Sequence, residues 1–282
     1  MNYRHAYHAG NFADVMKHVI LVRVLVHLLK KETPFRVIDT HAGIGRYDLS
    51  GEEAERTGEW RAGVGRLDAP LAPEVESLVA PYRDVLAETR RRHGANAYPG
   101  SPAIVREMLR RQDRAVFVEK YPTDEAILSE RFNMVVNIKV MLLDGWTALH
   151  ALVPPRERRG LVLIDPPYEE LGELDRLGAE LVRVASKWPT GIYMAWYPIK
   201  SPSEIDRVAD ALDRASPRKG LRLDLLVHRP DHPDRLNGCG LFILNPPWTL
   251  EQEAAAVLPA LAERFARGGY GAYQCERLGR WE

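Results

Sequence analysis

The sequence predicts an α/β protein: a seven-stranded, mostly parallel sheet with helices on both faces, an antiparallel last strand and a small helical insert. Three observations lead there. Gly160-Leu161-Val162-Leu163-Ile164 is a short, continuous apolar run, the kind buried on both faces of a parallel sheet, and the prolines of Asp165-Pro166-Pro167-Tyr168 stop it. Similar runs alternate with stretches of helical periodicity along the chain. The last two runs are joined by a loop too short for a helical crossover, so they should pair antiparallel.

The elements follow in order. Residues 12–31 read as a helix, with Val15, Val19, Val22, Val26 and Leu29 at helical spacing and with Lys17 and His18 among them. Ahead of it, Tyr3-Arg4-His5-Ala6-Tyr7-His8 packs aromatic and basic side chains into a non-periodic segment. Phe35 to Asp39 is the first strand. It turns through Thr40-His41-Ala42-Gly43-Ile44-Gly45, where small residues let a nucleotide-like ligand approach the backbone. Residues 48–98 interrupt the pattern as an insert. Its main helix, 73–93, ends in Arg90-Arg91-Arg92, a run that ordinarily forms a solvated face but is also the best candidate in the insert for phosphate contacts.

Ser101 then serves as the expected N-cap of a helix reaching about residue 112, with Pro102 at its first position. Strands at 115–119 and 137–143 flank a helix at 122–132, and the central strand is 161–164. After the proline motif come a helix at 170–186, a strand at 191–196, a helix opened by the capping box Ser201-Pro202-Ser203-Glu204, strands at 221–227 and 240–244, a helix at 249–266, and a tail.

Composition narrows the function. With 39 basic and 39 acidic residues the chain is no polycation, so nucleic-acid binding would need a local basic face. Cys239 and Cys275 are the only cysteines; they make neither a disulfide framework nor a metal-ligand spacing, which fits a reducing cytoplasm. The apolar stretch Val19 to Leu29 is broken by Arg23 and His27 and is too short to span a membrane. The amino terminus has no apolar signal core. One domain over 1–282, carrying the insert, is expected.

In open α/β sheets ligands bind at the carboxyl ends of the strands. Four such ends carry Asp39, Glu119, Asp144 and Asp165. At the last of them the Asp165 carboxylate and the Pro166 carbonyl can accept hydrogen bonds from a planar amino group, while Tyr168 stacks on the base that carries it. Asn245-Pro246-Pro247-Trp248 has a similar pattern, but it ends the antiparallel strand and so should point to the opposite edge. A metal site built on His5, His8 and Asp14 lacks a partner cluster and is not expected.

Several blocks together resemble a known family: Tyr3-Arg4-His5 with His8-Ala9-Gly10-Asn11, Ala13-Asp14 with Lys17-His18, Asp39-Thr40-His41-Ala42-Gly43, Glu55-Arg56-Thr57-Gly58-Glu59, Pro99-Gly100-Ser101-Pro102, Asp165-Pro166-Pro167-Tyr168-Glu169 and Asn245-Pro246-Pro247-Trp248. The chain is similar to the bacterial 23S ribosomal RNA adenine-N6 methyltransferases of the RlmJ family, whose family name places the target at adenine 2030. The resemblance implies a Rossmann-like class I methyltransferase using S-adenosyl-L-methionine. It implies cofactor contacts at Lys17, His18, His41, Ser101, Glu119, Asp144, Gly145 and Asp165, catalysis at Asp165, and RNA contacts at Tyr3 and Arg4. It further implies 23S rRNA as the partner and a cytoplasmic monomer. The rival readings are an N6-adenine DNA methyltransferase, a glutamine-amide protein methyltransferase, and a non-catalytic RNA-binding scaffold. Intact Asp165 and Tyr168 argue against the scaffold; balanced charge argues against DNA.

Overall fold

The helix Phe12–Leu29 (α1) buries every residue from Phe12 to Leu25. A helix apolar on nearly all sides must be covered on all sides, and the rest of the fold does this. In the computed structural model, which describes residues 4–216 and 218–281, the elements after α1 are β1 (Arg36–Asp39), β2 (Arg46–Asp48), α2 (Glu52–Thr57), α3 (Pro73–His93), β3 (Ala97–Pro99), α4 (Ser101–Met108), β4 (Arg114–Glu119), α5 (Pro122–Phe132), β5 (Ile138–Leu142), α6 (Gly145–Leu152), β6 (Gly160–Ile164), α7 (Glu173–Lys187), β7 (Gly191–Ile199), α8 (Pro202–Ala215), β8 (Gly220–Leu226), β9 (Gly238–Leu244), α9 (Leu250–Phe265) and β10 (Ala272–Leu278).

The main sheet has the order β10-β8-β9-β7-β6-β1-β4-β5. Strands β5, β4, β1, β6 and β7 pair in parallel. β9 runs antiparallel between β7 and β8, as the short connection requires. Alternate residues of the central strands feed two cores. Leu161 and Leu163 pack with α1 and α9 on one face, while Val162 and Ile164 pack with α7 and α8 on the other.

The sheet has eight strands where seven are expected, because Ala272–Leu278 pairs antiparallel with β8. Its sequence, Ala-Tyr-Gln-Cys-Glu-Arg-Leu, lies at an edge and is largely solvated, so it lacks the apolar signature of a strand. The insert is also more than helices. A two-stranded ribbon, β2 with β3, closes its base, and α3 packs on α1 and α9. At α8 the expected start is right, but the capping box is not made. The Ser201 hydroxyl lies 3.0 Å from that of Ser203 and gives the helix no side-chain cap.

Leu163 is fully buried in the central strand. Its truncation to alanine should cost about 2–5 kcal/mol, read from urea unfolding followed by circular dichroism. Leu171→Ala, at a fully exposed position, should stay within about 0.5 kcal/mol of the parent protein.

Candidate active site

The strand ends converge on one cleft at the carboxyl edge of the sheet, about 1100 Å³ including its open mouth. Its floor is set by α1. Asp14, Lys17 and His18 stand at the i, i+3, i+4 positions that share a helix face. Lys17 Nζ lies 2.6 Å from Asp165 Oδ2 and 2.9 Å from Asp14 Oδ1. His5 Nε2 approaches the other Asp14 oxygen to 2.9 Å, and the Gly10 N–H donates to it at 2.9 Å. Burial works against charge on Lys17, yet the carboxylates of Asp14 and Asp165 raise its ammonium well above the usual range. Burial likewise opposes charge on Asp14, yet His5, Lys17 and His18 hold its carboxyl well below the usual range. Asp165 is thereby gripped by one oxygen, and its Oδ1 accepts no hydrogen bond from any described residue.

The two flanking histidines are neutral. Burial pushes His18 down to about 3. Its Nδ1 lies 2.9 Å from the Tyr98 hydroxyl, itself 3.1 Å from that of Tyr82. Burial pushes His41 down to about 4, with its Nδ1 2.8 Å from Thr40 Oγ1 and its ring edge-on to Trp146.

Each strand-end acid has an internal partner. Asp39, fully buried behind the cleft wall, accepts the Ser101 hydroxyl at 2.7 Å and the His41 N–H at 3.3 Å; burial raises its carboxyl to about 7. Ser101 is therefore not the N-cap of α4. That position belongs to Gly100, and Ser101 turns its hydroxyl to Asp39 because a buried carboxyl needs a donor. Glu119 accepts the N–H groups of Gly43 and Tyr121 at 2.9 Å each, and burial raises its carboxyl. Asp144 caps α6 by accepting the Thr147 N–H at 2.9 Å and hydroxyl at 3.0 Å. Against the effect of burial, these bonds lower its carboxyl. Glu119, Asp144 and Asp165 also line the cleft.

Two glycines shape the walls. A Cβ on Gly145 would stand 2.4 Å from the Thr40 carbonyl oxygen and 2.5 Å from His41 Nε2, and one on Gly43, at φ +59°, would stand 2.5 Å from the Tyr47 hydroxyl.

Of the residues singled out in the sequence, Lys17, His18, His41, Ser101, Glu119, Asp144, Gly145, Asp165 and Pro166 all line the cleft. Tyr3 lies outside the described residues. Arg4 is exposed, 3.7 Å from Glu53, and is not among the cleft residues. Tyr168 departs from expectation. Its backbone is left-handed at φ +55°, its hydroxyl donates to the Trp196 carbonyl at 2.5 Å, and its half-buried ring packs edge-on to Trp196, off the cleft wall. It fixes the turn; stacking on a ligand in the cleft would require it to leave Trp196. Asn245 donates to the carbonyl of Gly191 at the start of β7, at the opposite edge, and its motif is not among the cleft residues. The insert arginines face carboxylates: Arg90 with Asp68, Arg91 with Glu88, and Arg92 with Glu88 and Glu107. Tyr47, Tyr121, Trp146 and Arg176 line the cleft without having been foreseen. Two of these, Tyr121 and Trp146, follow an expected strand-end acid by two residues, which was the available signal. Among the described residues no group of three or more His, Cys, Asp or Glu is arranged to hold a metal ion.

A family model described as Ribosomal RNA large subunit methyltransferase D, RlmJ, matches residues 32–278. The chain belongs to this family. It is 39% identical over 281 residues to the Ribosomal RNA large subunit methyltransferase J of Haemophilus influenzae, covering 98% of each chain. It is 39% identical over 274 residues to the protein of the same name from Escherichia coli, covering 96% of each. Among solved structures, protein LPL1258 from Legionella pneumophila superposes with a TM-score of 0.84 at 32% identity, covering 96% of this chain and 98% of that one.

The buried Asp39 gives a pH signature. Its carboxyl stands near 7 in the folded protein and near 4 in an unfolded chain. Its contribution to stability is therefore complete below about pH 4 and is lost as pH rises through 7, at about 1.4 kcal/mol per unit. His18 and His41, depressed to about 3 and 4, act in the opposite sense, losing stability as pH falls through their folded values. Comparing Asp39→Asn with the parent isolates the contribution of Asp39. The stability gap should move in favour of the asparagine protein by a few kcal/mol between pH 4.5 and 7.5 in denaturant titrations.

Proposed function

We propose that the protein transfers a methyl group from S-adenosyl-L-methionine to N6 of a specific adenine in 23S ribosomal RNA. The observation that carries this reading is the Asp165 carboxylate, clamped by Lys17 through one oxygen and with the other accepting no hydrogen bond from any described residue, beside Pro166 in an acid-lined cleft. Family membership and the names of the relatives supply the reaction class and the RNA.

The residues present fit the cofactor. Carboxylates at Glu119 and Asp144 suit ribose hydroxyls and polar edges of an adenosyl group. The absence of side chains at Gly43 and Gly145 lets the loops approach it, and neutral His18 and His41 add no positive charge beside a cationic ligand. When bound, S-adenosyl-L-methionine supplies a methyl group already activated by positive sulfur. The protein's own task is orientation and proton handling. The amino lone pair of adenine is delocalised into its ring. Accepting its hydrogens at Asp165 Oδ1 and the Pro166 carbonyl favours a more tetrahedral nitrogen with the lone pair turned toward the methyl donor. As the methyl passes from sulfur to N6, breaking the S–C bond and leaving a neutral thioether, one N6 proton would pass to Asp165 and on to water. Lys17 prevents the carboxylate from rotating away. An adenine in a duplex must first leave the stack, so a loop or single-stranded target fits best. No helix among the described residues is long and apolar enough to cross a membrane, and we place the enzyme in the cytoplasm, acting as a monomer. Incubation with labelled cofactor and separated rRNA, DNA and protein fractions, followed by nucleoside analysis, tests the reading. Label in N6-methyladenosine from rRNA is expected; label confined to DNA or protein refutes it.

Two sets of variants refine the assignment. Asp165→Asn keeps the size and one acceptor but loses the charge and the base, and should lower single-turnover methylation at least about a hundredfold. Asn245→Ala, at the opposite edge, should leave turnover largely intact. Glu119→Ala should weaken cofactor binding about tenfold or more, since charge-assisted hydrogen bonds are worth roughly 1.5–3 kcal/mol. Calorimetry on folded protein with unchanged affinity would remove Glu119 from the cofactor site.

A further inference from the structure

Arg90, Arg91 and Arg92 face carboxylates, but the ribbon beside them carries positive charge that does not. In the β2–β3 pair Arg46 lies opposite Pro99, Tyr47 opposite Tyr98 and Asp48 opposite Ala97. Side chains alternate across such a ribbon. Tyr47 and Tyr98 are buried, and the Tyr47 ring lies 5.0 Å from His5 and lines the active cleft. Arg46 faces the other side, where a second cavity is lined by Arg46, His93, Asn96 and Arg131 and shares Tyr47 with the first. Arg131 stands seven residues beyond Asp124, a cleft residue on the same helix. At 1.5 Å per residue this is roughly 10 Å along α5.

The groove concentrates cations that have no ion-pair partner among the described residues. Arg131 is held by the carbonyls of Ile44 and Arg46, not by a carboxylate. Burial lowers Arg46, and burial with the Arg46 charge lowers Arg131. Burial and then the charges of Arg46, Arg92 and Arg131 lower His93. The one carboxylate in the lining, Asp48, is exposed and bonded to the Ser50 N–H and hydroxyl. Two guanidinium groups, one of them braced by the backbone, suit the oxygens of a phosphate.

We propose that this groove binds a phosphodiester of the RNA strand whose adenine enters the active cleft. The inference rests on the rRNA substrate proposed above. The ribbon would then serve both sites at once, with one face closing the reaction cleft and the other holding the strand a short distance away.

Methylation kinetics of Arg46→Gln across a range of salt, beside Arg91→Gln as a control, test it. Arg46→Gln should raise KM for RNA about tenfold, as for loss of one charge-assisted bond. It should leave kcat at saturating RNA and cofactor affinity unchanged, and reduce the slope of log KM against log salt by about 0.7–0.9. Arg91→Gln should match the parent. Parental KM and slope in Arg46→Gln would overturn the proposal. Arg131 braces the backbone, so it is read in the unsubstituted protein. Phenylglyoxal modification of Arg46 and Arg131, mapped by mass spectrometry, should be slowed by an rRNA fragment and not by the same concentration of inorganic phosphate. No protection by RNA, or equal protection by phosphate, would also overturn it. Absence of turnover on rRNA by the unsubstituted enzyme would instead refute the activity, while the protection experiment would still report on the groove.

Discussion

A buried charge must be paired, and Lys17 is the point where this rule organises the molecule. Its ammonium is almost wholly removed from water and touches two carboxylates, one on its own helix and one at the end of the central strand. Desolvating such groups singly costs several kcal/mol, so the arrangement holds only if all three remain together. That requirement ties α1 to the end of β6 and fixes the rotation of Asp165. It draws in His5 through Asp14, which binds the segment ahead of α1 to the cleft. His18, one residue on, reaches Tyr98 and Tyr82 and thus the insert. One helical turn therefore connects the Asp165 carboxylate, the amino-terminal segment and the insert. The near-continuous apolar surface of α1 around these polar residues is what makes their pairing obligatory.

How far the sequence disclosed this depends on the kind of signal. The parallel strands were legible because burial on both faces demands unbroken apolar runs such as Leu161 to Ile164. The strand-end acids were legible because their topological positions coincide. Their partners were not. Nothing local in the chain says that Ser101 serves Asp39 or that Lys17 serves Asp165, since those contacts span 62 and 148 residues. β10 was hidden for the reverse reason. An edge strand with one apolar neighbour can be written almost entirely in polar residues. The helix α6 begins on Gly145, a poor helix former, and its start is visible only once Asp144 is seen to cap it. At Ser201 the opposite happened: a well-formed capping pattern marked the right boundary, yet the side chain found another partner.

The acids at the strand ends illustrate how structural and functional readings coexist. Glu119 anchors the Gly43 turn, Asp144 starts a helix, and Asp39 orients Ser101 and His41. None of this subtracts from ligand binding. A carboxylate held by backbone N–H groups is already ordered before a ligand arrives, so little rotamer freedom remains to be lost on binding. Asp39 shows the limiting case. It is completely enclosed and acts only through the groups it positions.

The two proline motifs build different turns from similar residues. Both end a buried strand, and both contain a non-glycine residue in left-handed backbone: Tyr168 at φ +55° and Asn245 at φ +54°. Asparagine tolerates that conformation, whereas for tyrosine it is an outlier that its surroundings must hold in place. In the first motif the bond from the Tyr168 hydroxyl to Trp196 and the edge-on ring contact supply that restraint. The result is a rigid turn that presents Asp165 and Pro166 to the cleft. In the second the left-handed residue is the first of the four, and its side chain is spent on the carbonyl of Gly191. Similar letters thus build different turns at opposite edges. The difference arises from strand direction, because an antiparallel strand delivers its last residue to the edge where its parallel neighbours begin. In the first motif the left-handed residue is restrained and the acid lines the cleft with an oxygen that accepts no hydrogen bond from any described residue; in the second the amide is spent within the fold.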